Sequence, residues 1–244
     1  MSYPQLDLIY FPVRARVECA RMIMEYGGIP YNDTDCQKFF GMNFEEAKKN
    51  GKLPFGQLPL LQIGGKDGRL IAQSGAINRY LASLVKTPGY VPFVPTEPAE
   101  EAYCDMIHGA AEELVMIMPC VNIFKGEKFQ QEKENYFKNT FPTKLKNLVK
   151  QLSTKMFFCG STVTYCDFDV YFFLDLARLV EPTVFQDFPT IQQWMGRIEN
   201  LQGVKDYLAR RPQPVEIGVN PHLEPFIETS DTQYIIKVQN SFAS

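Results

Sequence analysis

Two segments in the first ninety residues carry side chains whose types and spacing suit the binding of a small peptide. In residues 54–61 (P-F-G-Q-L-P-L-L), Pro59 stands at the start of a predicted strand and could take the cis form. The amide and carbonyl of Leu58, just before it, could pair with an extended peptide. In residues 72–81 (A-Q-S-G-A-I-N-R-Y-L), we expect Ser74 to cap a helix. Its hydroxyl, the free amides and the positive end of the helix dipole would suit a carboxylate.

The surrounding sequence predicts the elements that must position these residues. Short apolar, β-favouring runs alternate with stretches of helical periodicity, and Gly-Gly, Asn-Gly and Gly-Gly-Lys-Asp-Gly sequences separate them. The predicted elements are a strand over residues 6–11, a helix over 14–26, an extended segment from residue 29, a short helix over 44–49, a hairpin of strands 58–63 and 69–72, and a helix from residue 74. This β-α-β-α-β-β-α order predicts a small mixed sheet.

After a proline-rich stretch over residues 87–97, helical periodicity dominates to about Arg211. Thr164 and Asp167 are spaced for a capping box at a helix start. The lysines of residues 125–155 alternate with glutamates, which favours a solvated helix face over an anion-binding surface. From residue 218 onward the pattern is mixed, and we expect those residues to form an addition that packs rather than a disordered tail.

Composition excludes several classes of function. A net charge of -3 gives no general attraction to nucleic acid or an anionic membrane. No apolar run approaches the roughly 18 residues that a membrane span needs, and the first residues lack the pattern of a signal peptide. Six cysteines without a C-x-x-C pair suit reduced, mostly buried thiols in the cytoplasm. His108 and His222 have no spaced metal-ligand partner, so we expect no zinc or other metal site.

Taken together with the predicted element order, the motifs are specific enough to indicate a protein family. The chain resembles the cytosolic glutathione transferases over roughly residues 4–214, and most closely the sigma class. The shared stretches are L-I-Y-F-x-x-R-A-R, K-L-P-F-G-Q-L-P-L-L, A-Q-S-x-A-I-x-R-Y-L, S-T-V-T-Y-C-D-F and A-R-R-P. The resemblance implies an α/β thioredoxin-like glutathione-binding domain over residues 1–86 and a linker over 87–97. An all-α domain with the electrophile pocket would follow over 98–217, and a C-terminal extension over 218–244.

The resemblance also implies catalytic residues. Tyr10 matches the tyrosine whose hydroxyl donates to the glutathione sulfur, although a core aromatic residue on a buried strand is the structural alternative. Arg16 matches the arginine near that tyrosine, which helps to keep the thiolate favoured. Arg14 is the next basic neighbour, and it could equally be a solvated charge at a helix start.

The glutathione-binding residues follow from the same motifs. Leu58 and a cis Pro59 would hold the cysteinyl backbone, with Gln57 lining the site. Gln73 and Ser74 would bind the γ-glutamyl end.

The residues that would bind the charged groups at the two ends of glutathione are less fully determined by the motifs. With a two-residue insertion, Phe44 replaces the tryptophan that sigma enzymes place near the glycine carboxylate, and Lys48 replaces their lysine. Lys52 is the rival, and Lys48 could be a solvated helix residue instead. The family also sends an acidic side chain from the partner subunit of a homodimer to the glutamyl amine, for which Glu112 is the candidate.

The electrophile pocket is expected to draw on residues from both domains, namely Phe11, Pro12, Arg14, Tyr103, His108, Met116 and Cys120. Cys120 stands where the prostaglandin-isomerase branch of the class has a tryptophan, which argues against that activity. The resemblance implies a homodimeric, cytoplasmic, detoxifying enzyme that joins glutathione, its cosubstrate, to hydrophobic electrophiles without a metal. The alternatives are a non-catalytic structural or ligand-binding protein and a glutathione-dependent isomerase or peroxidase.

Overall fold

The computed structural model describes residues 3–12, 14–86, 93–117 and 126–211. Of these, residues 3–85 and 209–211 form one compact unit, the N-terminal unit, and residues 86–208 form a second, the helical unit. Part of the predicted linker (87–92) and all of the predicted extension (218–244) lie outside the described residues. No described helix is both long and apolar enough to cross a lipid bilayer.

The N-terminal unit is built on a four-stranded sheet in the order β2-β1-β3-β4. Strand β1 pairs with β2 in parallel and with β3 antiparallel, and β3 pairs with β4 antiparallel. The strands are β1 (Leu6–Ile9), β2 (Asn32–Thr34), β3 (Leu60–Ile63) and β4 (Arg69–Ala72), and the helices are α1 (Glu18–Gly27, after a 3-10 turn over Ala15–Val17), α2 (Cys36–Phe40), α3 (Phe44–Lys49) and α4 (Ser74–Leu84). All four residues of β1 are buried, so both faces of the sheet are covered.

Most of the expected element order is confirmed, although several bounds differ. Strand β1 ends at Ile9 rather than at residue 11, and α1 begins at Glu18 rather than at residue 14. Strand β3 begins at Leu60 rather than at residue 58, because Pro59 has no N–H to donate to a ladder. The expectation that Ser74 caps α4 is wrong: Ser74 is the first helical residue, and Gln73 before it has a left-handed φ of 76°. Helix α2 was not expected, although Asp35 caps it by accepting from the Lys38 N–H at 2.8 Å.

The helical unit contains α5 (Pro98–Ile117), α6 (Gly126–Asn135), α7 (Phe141–Leu152), α8 (Tyr165–Val180), α9 (Pro189–Glu199) and α10 (Val204–Arg210, whose last two residues belong to the N-terminal unit), with a π-helical turn over Tyr136–Thr140. Helix α5 packs along α8, most of whose residues are buried. The expected capping box at the start of α8 is present, with the Asp167 carboxylate accepting from the Thr164 N–H at 3.0 Å. The same carboxylate accepts from the Phe158 N–H at 2.9 Å and from the Trp194 indole N–H at 3.1 Å, which ties the preceding loop and α9 to α8.

Candidate active site

The pairing register of the sheet brings the two peptide-binding motifs and Tyr10 to one edge. Ile9 pairs with Leu60, and Leu60 pairs with Ala72. Because β1 and β4 run in one direction and β3 in the other, the residue after β1, the residues before β3 and the residues after β4 all emerge at this edge. These residues are Tyr10, the Leu58–Pro59 pair and the Gln73–Ser74 pair.

An open cavity of about 470 Å³ lies at this edge of the sheet, within the N-terminal unit. The residues that line it are Tyr10, Phe11, Arg16, Phe44, Phe55, Gln57, Leu58, Pro59, Ala72, Gln73 and Ser74. The structure thus brings together both expected catalytic residues and all of the expected glutathione-binding residues except Lys48 and Glu112. Phe55, which is 66% exposed, and Ala72 also line the cavity, although the motifs did not assign them to it.

Tyr10 is held rigidly at the base of the cavity. Its backbone N–H donates to the Thr34 carbonyl at 2.9 Å, which continues the ladder beyond β1, and its side chain is 8% exposed. Its ring contacts Phe11 edge-on, and Phe11 contacts Phe44, so that an apolar wall adjoins the phenol.

The Tyr10 hydroxyl stays protonated at neutral pH. Burial raises the pKa of Tyr10 above its ordinary value of about 10, whereas the Arg16 N–H and the charges of Arg16 and Arg21 lower it and offset the burial only in part. A protonated phenol close to cationic groups can donate a hydrogen bond to an anion. It cannot act as a base at this pH.

Backbone and helix-end groups also line the cavity. The Leu58–Pro59 peptide is cis, as expected, and lies just before the first paired residue of β3. Gln73 and Ser74 lie where α4 begins, with the Ile77 N–H closing its first turn onto the Gln73 carbonyl at 3.0 Å. The first amides of this helix, its dipole and the Ser74 hydroxyl suit a carboxylate.

Arg21 is a residue of this region that the sequence reasoning missed. Its side chain on α1 is 1% exposed, and it donates to both carboxylate oxygens of Asp33, at 2.7 and 3.2 Å. Its guanidinium also donates to the Arg14 carbonyl at 3.5 Å, in the loop that leads to Arg16. Arg21 therefore both acts electrostatically on Tyr10 and fixes this loop. An arginine on the apolar face of a helix was the available signal.

The lysines expected to bind the glycine carboxylate do not line the cavity, unlike most of the other expected glutathione-binding residues. The aliphatic stem of Lys48 lies beside Gly56. A Cβ atom added to this glycine would be 3.5 Å from the Lys48 Cε. Lys48 and Lys52 are both exposed, and neither is among the lining residues. Phe44, buried at the start of α3, does line the cavity.

Two residues expected in the electrophile pocket have partners inside the helical unit. The Tyr103 hydroxyl donates to the Gln151 side chain at 3.1 Å and accepts from the Lys155 ammonium at 3.0 Å. His108 Nδ1 lies 2.7 Å from an Asp169 carboxylate oxygen. Burial lowers the pKa of His108, but the hydrogen bond and charge of Asp169, together with the charges of Glu112 and Asp105, outweigh burial, so that the net shift of this pKa is upward.

The remaining expected residues are placed as follows. Glu112 is half-buried on α5, where its charge also acts to raise the pKa of His108. Pro12 and Arg14 are half-buried in the loop after Phe11. The side chain of Met116 and the whole of Cys120 lie outside the described part of the chain.

Comparison with known proteins agrees with the fold. The family model described as "Glutathione S-transferase, N-terminal domain" matches residues 6–83, and the model described as "Glutathione S-transferase, C-terminal domain" matches residues 116–211. The chain is 31% identical over 217 residues to a glutathione S-transferase of Plasmodium falciparum (isolate 3D7), covering 85% of this chain and 97% of that one. It is 30% identical over 216 residues to the hematopoietic prostaglandin D synthase of Gallus gallus, covering 86% and 98%.

Among solved structures, the glutathione S-transferase from Ascaris lumbricoides superposes with a TM-score of 0.69 at 26% identity, over 86% of this chain and 98% of that one. The mixed four-stranded sheet and the separate helical unit are the two parts that the family models describe. The chain therefore belongs to the glutathione S-transferase family and has its fold, a thioredoxin-like N-terminal domain followed by a helical domain.

Proposed function

We propose that the protein is a glutathione transferase that stabilises the glutathione thiolate and joins it to hydrophobic electrophiles. The observation that carries this proposal is the convergence of Tyr10, the Leu58–Pro59 pair and the Gln73–Ser74 pair on one cavity. Relatives at about 30% identity over most of the chain carry the name glutathione S-transferase, which supports the same reaction.

Each part of the tripeptide has a complementary wall. The γ-glutamyl carboxylate would accept from Ser74 and the first amides of α4, with Gln73 beside it. The cysteinyl backbone would pair with the backbone of Leu58. This placement leaves the sulfur at Tyr10, next to the apolar wall of Phe11 and Phe44, where a hydrophobic electrophile can approach.

The site has to supply charge stabilisation. A free thiol has a pKa near 8.5, so only a few per cent is ionised at about pH 7. The protonated Tyr10 hydroxyl would donate to the thiolate, and the Arg16 charge would favour the same ionised form. Glutathione serves as the cosubstrate, and this chemistry requires no metal.

The finer assignments belong to the same proposal. We assign the enzyme to the tyrosine-type sigma class, with domains over residues 1–86 and 98–217, a role in detoxification and a cytoplasmic location. It acts as a homodimer in which Glu112 of one subunit binds the glutamyl amine in the other. Lys48 is favoured over Lys52 for the glycine carboxylate, because its stem lies beside Gly56 in the P-F-G-Q motif. Persistence of a monomer in sedimentation at micromolar concentration would overturn the dimer and the role of Glu112.

A glutathione-dependent isomerase is the second candidate, favoured by the similarity to a hematopoietic prostaglandin D synthase. Cys120 in place of a tryptophan remains the argument against it. Turnover of prostaglandin H2 at a rate above that of nitroaryl conjugation would reverse this preference.

The proposal is tested by binding the full-length chain to immobilised glutathione and then assaying conjugation to a nitroaryl halide. Ser74→Ala removes a hydrogen bond to a charged group, worth about 1.5–3 kcal/mol, and should raise the KM for glutathione roughly 10- to 100-fold. Ser83→Ala is the matched control, because this exposed serine lies on the same helix and donates to the Tyr80 carbonyl at 2.7 Å. Binding of glutathione without turnover would identify a non-catalytic protein, and equal KM values in the two variants would contradict the proposed orientation.

A further inference from the structure

Three cysteines far apart in the sequence meet in the helical unit. Cys104 lies on α5, Cys159 in the loop before α8, and Cys166 on the first turn of α8. The Sγ atoms of Cys159 and Cys166 are 3.6 Å apart, and all three Sγ atoms lie within 4.8 Å of one another. No sequence motif indicated this cluster, because no two of these cysteines form a C-x-x-C pair.

The cluster is held by rigid surroundings. Helices α5 and α8 pack along each other, which fixes Cys104 against Cys166. The loop that carries Cys159 is pinned by a short backbone bridge, in which Phe157 and Gly160 exchange hydrogen bonds of 2.9 and 3.1 Å. Asp167 fixes the same loop by accepting from the Phe158 N–H. The packing of these elements therefore holds the three thiols together.

The spacing matches the coordination shell of one ion. Three sulfurs about 2.3 Å from a central metal, in a trigonal plane, lie about 4.0 Å from one another. The Cys159–Cys166 separation of 3.6 Å and the upper limit of 4.8 Å for the other two pairs are compatible with that value. Cys104 and Cys166 are fully buried, whereas Cys159 is half-buried and opens a path from solvent.

We propose that Cys104, Cys159 and Cys166 form a three-coordinate thiolate site for a soft monovalent cation, Cu(I). Thiolate ligands select soft ions, and in the described part of the chain no fourth histidine, cysteine or carboxylate joins the group. Structural zinc sites need four protein ligands, which this group does not supply. Binding forms three Cu–S bonds, releases the thiol protons to solvent and changes no oxidation state. Lys155, close enough to act electrostatically on Cys159, partly balances the negative charge.

A disulfide between Cys159 and Cys166 is the competing use of the same residues. It would engage two sulfurs and leave the third unexplained. The arrangement of all three within one small volume favours the metal site. This proposal does not depend on the glutathione site, which is formed by residues of the N-terminal unit.

The test is an anaerobic titration of the reduced, glutathione-free full-length chain with Cu(I), in competition with a colorimetric Cu(I) chelator. We expect one tightly bound equivalent, a thiolate-to-copper charge-transfer band, and three sulfur neighbours at about 2.3 Å by X-ray absorption. Cys159→Ser and Cys104→Ser should each weaken Cu(I) binding by more than the roughly 10- to 100-fold effect of altering a group behind the ligands. Cys36→Ala, at a buried cysteine of the N-terminal unit, should bind as tightly as the unmodified chain.

Circular dichroism and conjugation kinetics check that each variant is folded, and Cys159→Ser, at the half-buried position, is the safer of the two. Equal Cu(I) affinity in Cys159→Ser and the unmodified chain would overturn the proposal. A preference for Zn(II) over Cu(I) would also overturn it. So would a reduced chain that binds no Cu(I) but forms a Cys159–Cys166 disulfide with hydrogen peroxide, detected by peptide mapping.

Discussion

Replacing Tyr10 with phenylalanine removes the proposed donor to the glutathione sulfur, together with the acceptor of the exposed Arg16 backbone N–H. The phenol is 8% exposed and packs edge-on against Phe11 at a centroid distance of 5.3 Å, and a phenylalanine ring retains that contact. Because burial raises the pKa of Tyr10, the lost group is a neutral O–H and the net charge of the cavity at neutral pH is unchanged.

The expected magnitude follows from the strength of that bond. A hydrogen bond to a charged acceptor is worth about 1.5–3 kcal/mol. One pKa unit corresponds to about 1.4 kcal/mol, so Tyr10 should lower the pKa of the bound thiol by about one to two units. Conjugation near neutral pH should therefore fall roughly 10- to 100-fold in Tyr10→Phe, while glutathione binding changes little.

The measurement is kcat/KM for conjugation of glutathione to a nitroaryl halide as a function of pH. A spectrophotometric titration gives the pKa of the bound thiol. The deficit of Tyr10→Phe should shrink as the pH approaches the free-thiol pKa near 8.5, because the thiolate then forms unaided. Tyr26→Phe on α1 is the matched control, since this tyrosine is half-buried and is not among the residues that line the cavity. An unchanged rate and pH profile in Tyr10→Phe would show that another group stabilises the thiolate.

Three further substitutions test the surrounding framework. Arg21→Met removes hydrogen bonds to the Asp33 carboxylate, which is 37% exposed and can be solvated, while the buried Glu18 carboxylate keeps Arg211. The free energy of unfolding in urea should therefore fall by about 1.5–3 kcal/mol; a loss below about 1 kcal/mol would contradict the role assigned to this ion pair. Asp167→Ala leaves the buried Phe158 and Trp194 N–H groups without their acceptor, at about 1–3 kcal/mol each, so thermal unfolding should occur at a clearly lower temperature. Burial lowers the pKa of His108, but Asp169, Glu112 and Asp105 together raise it by more than burial lowers it. Protonation of His108 therefore contributes stability that is complete below the ordinary pKa of about 6.5 and is lost as the pH rises through the raised value. His108→Gln should therefore cost more stability in urea at about pH 5.5 than at about pH 8.5, and a deficit independent of pH would refute the pairing.

Local sequence signals determined the order of the elements and most residues of the candidate site. Gly28 ends α1 with a left-handed φ of 58°, as the Gly27-Gly28 pair predicted, and α3 has the bounds that its periodicity indicated. The cis peptide expected at Pro59 is present, whereas Ser74 is the first residue of α4 rather than its cap. Caps, prolines and apolar periodicity act over a few residues, so the sequence alone is enough to locate them.

The tertiary structure alone decided which distant residues meet. The register that pairs Ile9 with Leu60 and Ala72 sets the shared edge of the cavity, and a shift of one residue would reverse every side chain of a strand. The burial of Arg21 against Asp33 and the convergence of three cysteines likewise depend on packing between elements that lie 12 to 62 residues apart. Such contacts are selected by how whole apolar faces fit together, and no local pattern in the chain records that fit.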